Sequence, residues 1–157
     1  MTGVITQALS EDDETVLEDA LVEFNELAEI EPSFFKPYFK EIYQQMKPII
    51  NHQDFANTTI RHQPLEFIVT LVERQPSIVK KDLDLLKDIL EVIFRLMIDI
   101  DSDIDESWLR PKEGFIADGD EEEDNVNFGK GCVDRLVSSI GDEIMLPLIG
   151  TLVTNTI

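Results

Sequence analysis

The chain has 157 residues and a formal net charge of −20. A protein this acidic repels nucleic-acid phosphates and anionic membranes, and it attracts basic partners. Its hydrophobic fraction of 43% excludes a wholly disordered acidic chain, and its length suits one compact domain.

From Thr15 the apolar residues fall at 16, 17, 20, 21, 24, 27 and 28, the spacing of one helical face. This predicts a helix over about 12–31, with Ser10 or Asp12 as its cap. Pro32 in "EPS" can end that helix and open the next. Phe34, Phe35, Tyr38, Phe39, Ile42, Tyr43, Met46, Ile49 and Ile50 mark the second helix, 33–51. Helices over 57–75 and 78–98 follow, then 127–140 and 142–155, and almost nothing reads as strand. The fold class is all-α.

A repeat underlies these helices. "LAEIEPSFFK" at Leu27 and "LVERQPSIVK" at Leu71 match at a displacement of 44 residues. The same shift pairs Val16 with Ile60, Leu21 with Leu65, Phe24 with Ile68, Phe39 with Leu83 and Ile49 with Ile93. A two-helix unit of about 40–47 residues has the HEAT or armadillo period. The expectation is an α-α superhelix of about three stacked hairpins, with repeats near 12–53, 56–98 and 126–157. The third copy is "CVDRLVSSIGDEIMLPLIGTLV", with Gly141 where the others carry Pro.

Between the second and third copies lies an acidic insertion, about 99–125. Residues 99–124 hold 12 acidic and 2 basic side chains, a net −10. Insertions in solenoids emerge as loops on one face, often the binding face. Asp105, Glu106, Trp108, Asp120, Glu121, Glu122, Glu123 and Asp124 are its candidate partner-binding residues. Such a polyanion can attract a basic partner and order on contact, and Trp is enriched in interface hot spots. Asp82, Asp84, Asp88 and Glu91, on the polar side of the fourth helix, form a second acidic set. A solvated face is the plain alternative reading of each.

The periodicity also names a core: Leu21, Phe24, Leu27, Phe39, Ile42, Leu65, Ile68, Leu71, Leu86, Ile89, Ile93, Leu136 and Ile149. Tyr38 and Tyr43 are expected to bring their hydroxyls to the surface, and His52 and His62 to lie on helix or loop surfaces. No terminal repeat with a polar outer face is visible. The chain therefore reads as part of a longer superhelix, able to self-associate through Leu148, Ile149, Leu152 and Val153.

No catalytic, cofactor or metal constellation emerges. EF-hand registers begun at Asp99, Asp101 or Asp118 all miss the Gly at position 6 and the Glu at position 12. One Cys and two His make no zinc set, and "GKG" at Gly129 lacks the phosphate-loop spacing. The single Cys132 allows no internal disulfide, no secretory signal opens the chain, and no apolar run reaches the roughly 18 residues of a membrane span. These features suit a cytosolic or nuclear protein.

Three segments carry a family resemblance. "RHQPLEFIVTLVE" at 61–73, the acidic "DESWLRPKEGFIADGDEEEDN" at 105–125, and "VDRLVSSIGDEIMLPLI" at 133–149 occur in the order and spacing of the karyopherin-β (importin-β) superfamily. They are most similar to its importin-4 and importin-5 branch. Pro64 stands where that branch has Ala within a helix, implying a kink, and Asp142-Glu143 stand where it has Gly-Lys. The resemblance implies a HEAT-repeat segment of a nuclear import receptor shuttling between cytoplasm and nucleus. It also implies that second helices line a concave surface for basic cargo signals, that the GTPase Ran releases the cargo, and that nucleoporins bind the whole receptor. The alternative reading is a non-transport HEAT scaffold or regulatory subunit.

Overall fold

The computed structural model describes residues 14–52, 59–99 and 125–156. Among the described residues seven α-helices follow one another: α1 (Glu14–Ile30), α2 (Phe39–Ile50), α3 (Thr59–Arg74), α4 (Ser77–Lys80), α5 (Leu83–Ile98), α6 (Asn125–Ile140) and α7 (Asp142–Thr156). Among the described residues there is no strand. Helix α3 packs against α1, α2 and α6, while α5 packs against α2, α6 and α7. The hairpins α1/α2, α3/α5 and α6/α7 thus stack as two layers, first helices in one and second helices in the other. This is the HEAT solenoid expected from the 44-residue period.

The second helices begin later than periodicity implies. Pro32–Phe34 and Lys36–Tyr38 form two 3₁₀ turns, so α2 opens at Phe39 rather than at 33. Pro37 has no N–H for an α-helical bond, and the chain tightens into short turns instead. Those turns drop Phe35 into the core, edge-on to Phe67 with ring centroids 5.0 Å apart. Similarly, α4 opens after Pro76 and stops at Lys80. A fresh cap then starts α5: Asp82 Oδ1 accepts from the Leu85 N–H at 3.1 Å. Gly141 joins α6 to α7 with φ +102°, a left-handed conformation that glycine adopts without a Cβ clash and that proline's ring forbids.

Helix α3 is the centre of the stack. It buries Ile60, Leu65, Phe67, Ile68, Val69, Leu71 and Val72 on several faces, because neighbours cover it from three directions. Pro64 lies within its continuous span. Helix α6 comes close to α5 at Gly129, where a Cβ would overlap Met97 Cγ and Sδ.

Most of the expected core is fully buried, and Phe24, Ile42 and Ile149 are partly so. Leu27 is the correction. It is 40% exposed, whereas its repeat-mate Leu71 is 0% exposed. Val16 and Ile60 divide the same way, at 47% and 1%. The period equates these positions, but α1 is covered by α3 on one side whereas α3 also has α6 against it. Leu83, the mate of buried Phe39, is likewise exposed.

Three surface expectations also change. Tyr43 is buried, and only Tyr38 is exposed. His62 is buried while His52 is exposed. Leu152 is buried, so the exposed apolar side chains of α7 are Leu146 and Val153, with Leu148 and Ile149 half-buried.

Candidate functional site

The second-layer helices carry facing charged stripes. On α5, Asp84, Asp88, Glu91 and Arg95 recur at intervals of four, three and four residues, so one face presents them all. On α2, Lys40, Tyr43 and Lys47 recur at three and four. Lys40 Nζ pairs with Asp82 Oδ2 at 3.2 Å. Lys47 Nζ donates to both oxygens of Asp88 at 2.7 and 2.8 Å, and the Tyr43 hydroxyl donates to Asp88 Oδ2 at 2.7 Å.

These contacts tune the groups that make them. Burial, then the Asp88 hydrogen bond and charge, push the Tyr43 phenol far above its ordinary value, so it remains a donor throughout the physiological range. Burial raises the Asp88 carboxyl, but hydrogen bonds from Lys47 and Tyr43 outweigh that and hold it below the usual carboxylate value. The Leu85 N–H and then Lys40 hold Asp82 low as well.

The four acids of α5 therefore divide. Asp82 and Asp88 are engaged within the fold. Asp84 and Glu91 have no hydrogen bond or ion pair among the described residues, Asp84 exposed and Glu91 half-buried. Sequence reasoning overlooked Lys40 and Lys47 and expected the Tyr43 hydroxyl at the surface rather than on Asp88. A signal existed: the 44-residue shift carries Lys40 onto Asp84 and Lys47 onto Glu91, placing opposite charges on adjacent equivalent helices.

A second cluster joins Asp99, at the end of α5, and Asn125, at the start of α6, to the start of α3. Arg61 NH1 pairs with Asp99 Oδ2 at 2.8 Å, and its Nε donates to the Ile50 carbonyl at 2.8 Å. Asn125 Nδ2 donates to the Asp99 carbonyl at 3.3 Å, while Asn125 Oδ1 lies 2.7 Å from His62 Nε2. Because the Asn125 amide nitrogen is turned to Asp99, its oxygen faces the imidazole and Nε2 carries the proton. Phe128 stacks on that ring, centroids 4.1 Å apart and planes within 10°. Asn51, Arg61, Arg95, Ile98 and Asp99 line an open cleft beside this cluster.

On the first-helix layer, Arg135 of α6 binds three groups of α3. It donates to Glu66 at 2.6 Å, Thr70 at 3.0 Å and Glu73 at 2.7 Å. Burial lowers the Arg135 pKa, and the Glu73 and Glu66 bonds more than offset it, leaving it raised. Arg61, His62, Glu66, Thr70 and Glu73 all belong to the 61–73 segment, so that motif serves joints between repeats. Asp105, Glu106, Trp108, Asp120, Glu121, Glu122, Glu123 and Asp124 lie outside the described residues, as does the cap expected at Ser10 or Asp12.

A family model described as an importin repeat matches residues 52–147, more than half of the chain. The chain belongs to the importin repeat family. The matched span of this importin repeat contains α3 to α6, the acidic insertion and the cluster at its roots. The solenoid is also similar to three crystal structures of Kap121p: bound to RanGTP (TM-score 0.77), bound to Nup53p (0.74) and bound to Ste12p (0.75). Each is 21% identical, covers 96% of this chain and is itself covered over 14% of its length. At that identity the likeness speaks to the fold alone, a helical-repeat solenoid.

Proposed function

We propose that this importin repeat is a segment of a nuclear import receptor of the importin-4 and importin-5 type. In this reading the receptor binds basic cargo signals and gives them up to GTP-bound Ran, shuttling between cytoplasm and nucleus and meeting nucleoporins on the way. The observation that carries the reading is the importin-repeat match across 52–147. Fold likeness to Kap121p in complexes with RanGTP, a nucleoporin and Ste12p supports it.

The chemistry offered to a basic partner is a set of unneutralised carboxylates beside apolar anchors. Asp84 and Glu91 supply it on α5, since Asp82 and Asp88 already hold lysines. The insertion supplies net −10 over residues 99–124, with Trp108 as an anchor among its charges. Rim charge speeds encounter, and a buried aromatic slows escape.

The test is a binding measurement on the full-length receptor, wild type and lacking residues 102–124, against GTP-locked Ran and a basic signal peptide. The reading expects both partners to bind, with association by the deletion slower and less salt-dependent. A receptor that captures neither partner is a non-transport scaffold. Unchanged rates for both partners would reduce the insertion to a solvated tether.

A further inference from the structure

The stripe of free carboxylates on α5 is interrupted in its middle. Asp84 and Glu91 stand two helical turns apart, about 10.5 Å, and neither has a hydrogen bond or ion pair among the described residues. Asp88 lies between them on the same face, and an ammonium is already seated on it. Lys47 Nζ, from α2, reaches both of its oxygens at 2.7 and 2.8 Å. The pair is not sealed inside the joint: the two side chains are 28% and 33% exposed, open enough for an outside group to reach the carboxylate.

We propose that Lys47 is an affinity-setting residue of the basic-partner surface: by holding Asp88 it keeps the central carboxylate of α5 from a partner's lysine or arginine. The inference rests on the import-receptor reading above. Lys47 acts through Asp88 and does not itself bind the partner. A basic segment that engages Asp84 and Glu91 passes over Asp88, where it meets a neutralised carboxylate and a like charge. With the lysine's charge removed, the same segment meets three carboxylates in a row. Affinity differences of this kind appear mainly as residence time, and a receptor that must give up its cargo has use for a limit on it.

The joint between α2 and α5 has other ties. The Tyr43 hydroxyl donates to Asp88 at 2.7 Å, and Lys40 pairs with Asp82 at 3.2 Å. A partly exposed ion pair adds little stability to such a joint. Burial and the Asp88 contact keep the Tyr43 phenol protonated, so this donor stays in place when Lys47 is replaced. Arg95 is the other cation whose charge acts on Asp88, and it favours the ionised form as Tyr43 does. A vacated Asp88 therefore remains an anion, oriented by Tyr43 and available to an ammonium from outside.

The experiment measures the affinity of the full-length receptor for an oligolysine peptide and for GTP-locked Ran, beside thermal melts. The variants are Lys47→Met, Lys47→Gln and Lys47→Arg, the first two made both alone and together with Asp88→Asn. Lys47→Met should bind oligolysine about three- to tenfold more tightly than wild type. Lys47→Arg keeps a cation on Asp88 and should match wild type. In the Asp88→Asn background Lys47→Met should gain less than about twofold over Asp88→Asn alone, because only the net charge then differs. Lys47→Gln, neutral but polar, repeats both comparisons if Lys47→Met melts early. Equal gains in the two backgrounds, or no gain in either, overturn the inference and leave the import reading in place. So does a receptor that captures GTP-locked Ran but no oligolysine. A receptor that captures neither overturns both.

Discussion

The hydroxyl of Tyr43 on α2 donates to Asp88 on α5 at 2.7 Å, and the same carboxylate receives Lys47 from one turn further along α2. An acid that the sequence presents as partner-binding thus serves as a strut between adjacent repeats. Removing the hydroxyl alone leaves Lys47 in place, so Tyr43→Phe should cost about 1 kcal/mol, read as a lower urea midpoint at unchanged slope. The pH dependence of Asp88→Asn checks the electrostatic part. Asp88 is held below its ordinary value of 3.8, so it favours the folded state above that pH and loses this effect as pH falls through its folded-state value. Wild type should exceed Asp88→Asn in stability at neutral pH, and the two should converge as pH drops below about 3.8. Curves that stay parallel well below that pH would show that the pair makes no electrostatic contribution.

Equivalent repeat positions should differ in energetic weight. Ile68→Ala in the fully covered helix α3 should cost about 2–5 kcal/mol, while Leu27→Ala on the exposed side of α1 should cost less than about 1. Thermal or chemical melts of the two variants decide it, and equal losses would mean that α1 is covered on both sides in solution.

Two glycines of α6, two residues apart, should respond in opposite directions. At Gly129 an added Cβ collides with Met97, so Gly129→Ala should destabilise by about 1–3 kcal/mol. Nothing lies within 4 Å of a Cβ at Gly131, where Ala should gain roughly 0.5–1 kcal/mol of helix propensity. Calorimetry on both variants tests the close approach of α5 and α6.

The acids of α5 should separate into partner-binding and internal groups. In the full-length receptor, Asp84→Asn with Glu91→Gln should weaken a basic peptide while leaving the melt within about 0.5 kcal/mol of wild type. Asp82→Ala should instead lower stability, because it loses both the Leu85 cap and Lys40. A peptide affinity indifferent to the double change would remove α5 from the partner surface.

Much of this molecule was legible along the chain. Apolar spacing reported four of the helices to within two residues and two more with starts five or six residues early, and the Leu27 and Leu71 segments exposed the hairpin period. The excess of negative charge over 99–124 is equally plain from neighbouring residues. These features are local: a helix needs one apolar stripe, a turn needs its proline or glycine, and both are written in neighbouring residues. The late start of α2 escaped that reading because Phe34, Phe35 and Tyr38 keep helical spacing through two 3₁₀ turns that Pro37 imposes.

What the sequence by itself determined, then, is the helices, their pairing into repeats and where the acidic charge concentrates. Only the tertiary structure decided which apolar stripes are covered, which is why Leu71 is buried and Leu27 is not. It alone brought Lys40 and Lys47 to Asp82 and Asp88, and tied Asp99, Asn125, Arg61 and His62 into one cluster. Periodicity specifies which way a side chain leaves its own helix. Burial and charge pairing depend on what the next helix offers at that spot, and here the partner groups come from 26 to 69 residues away.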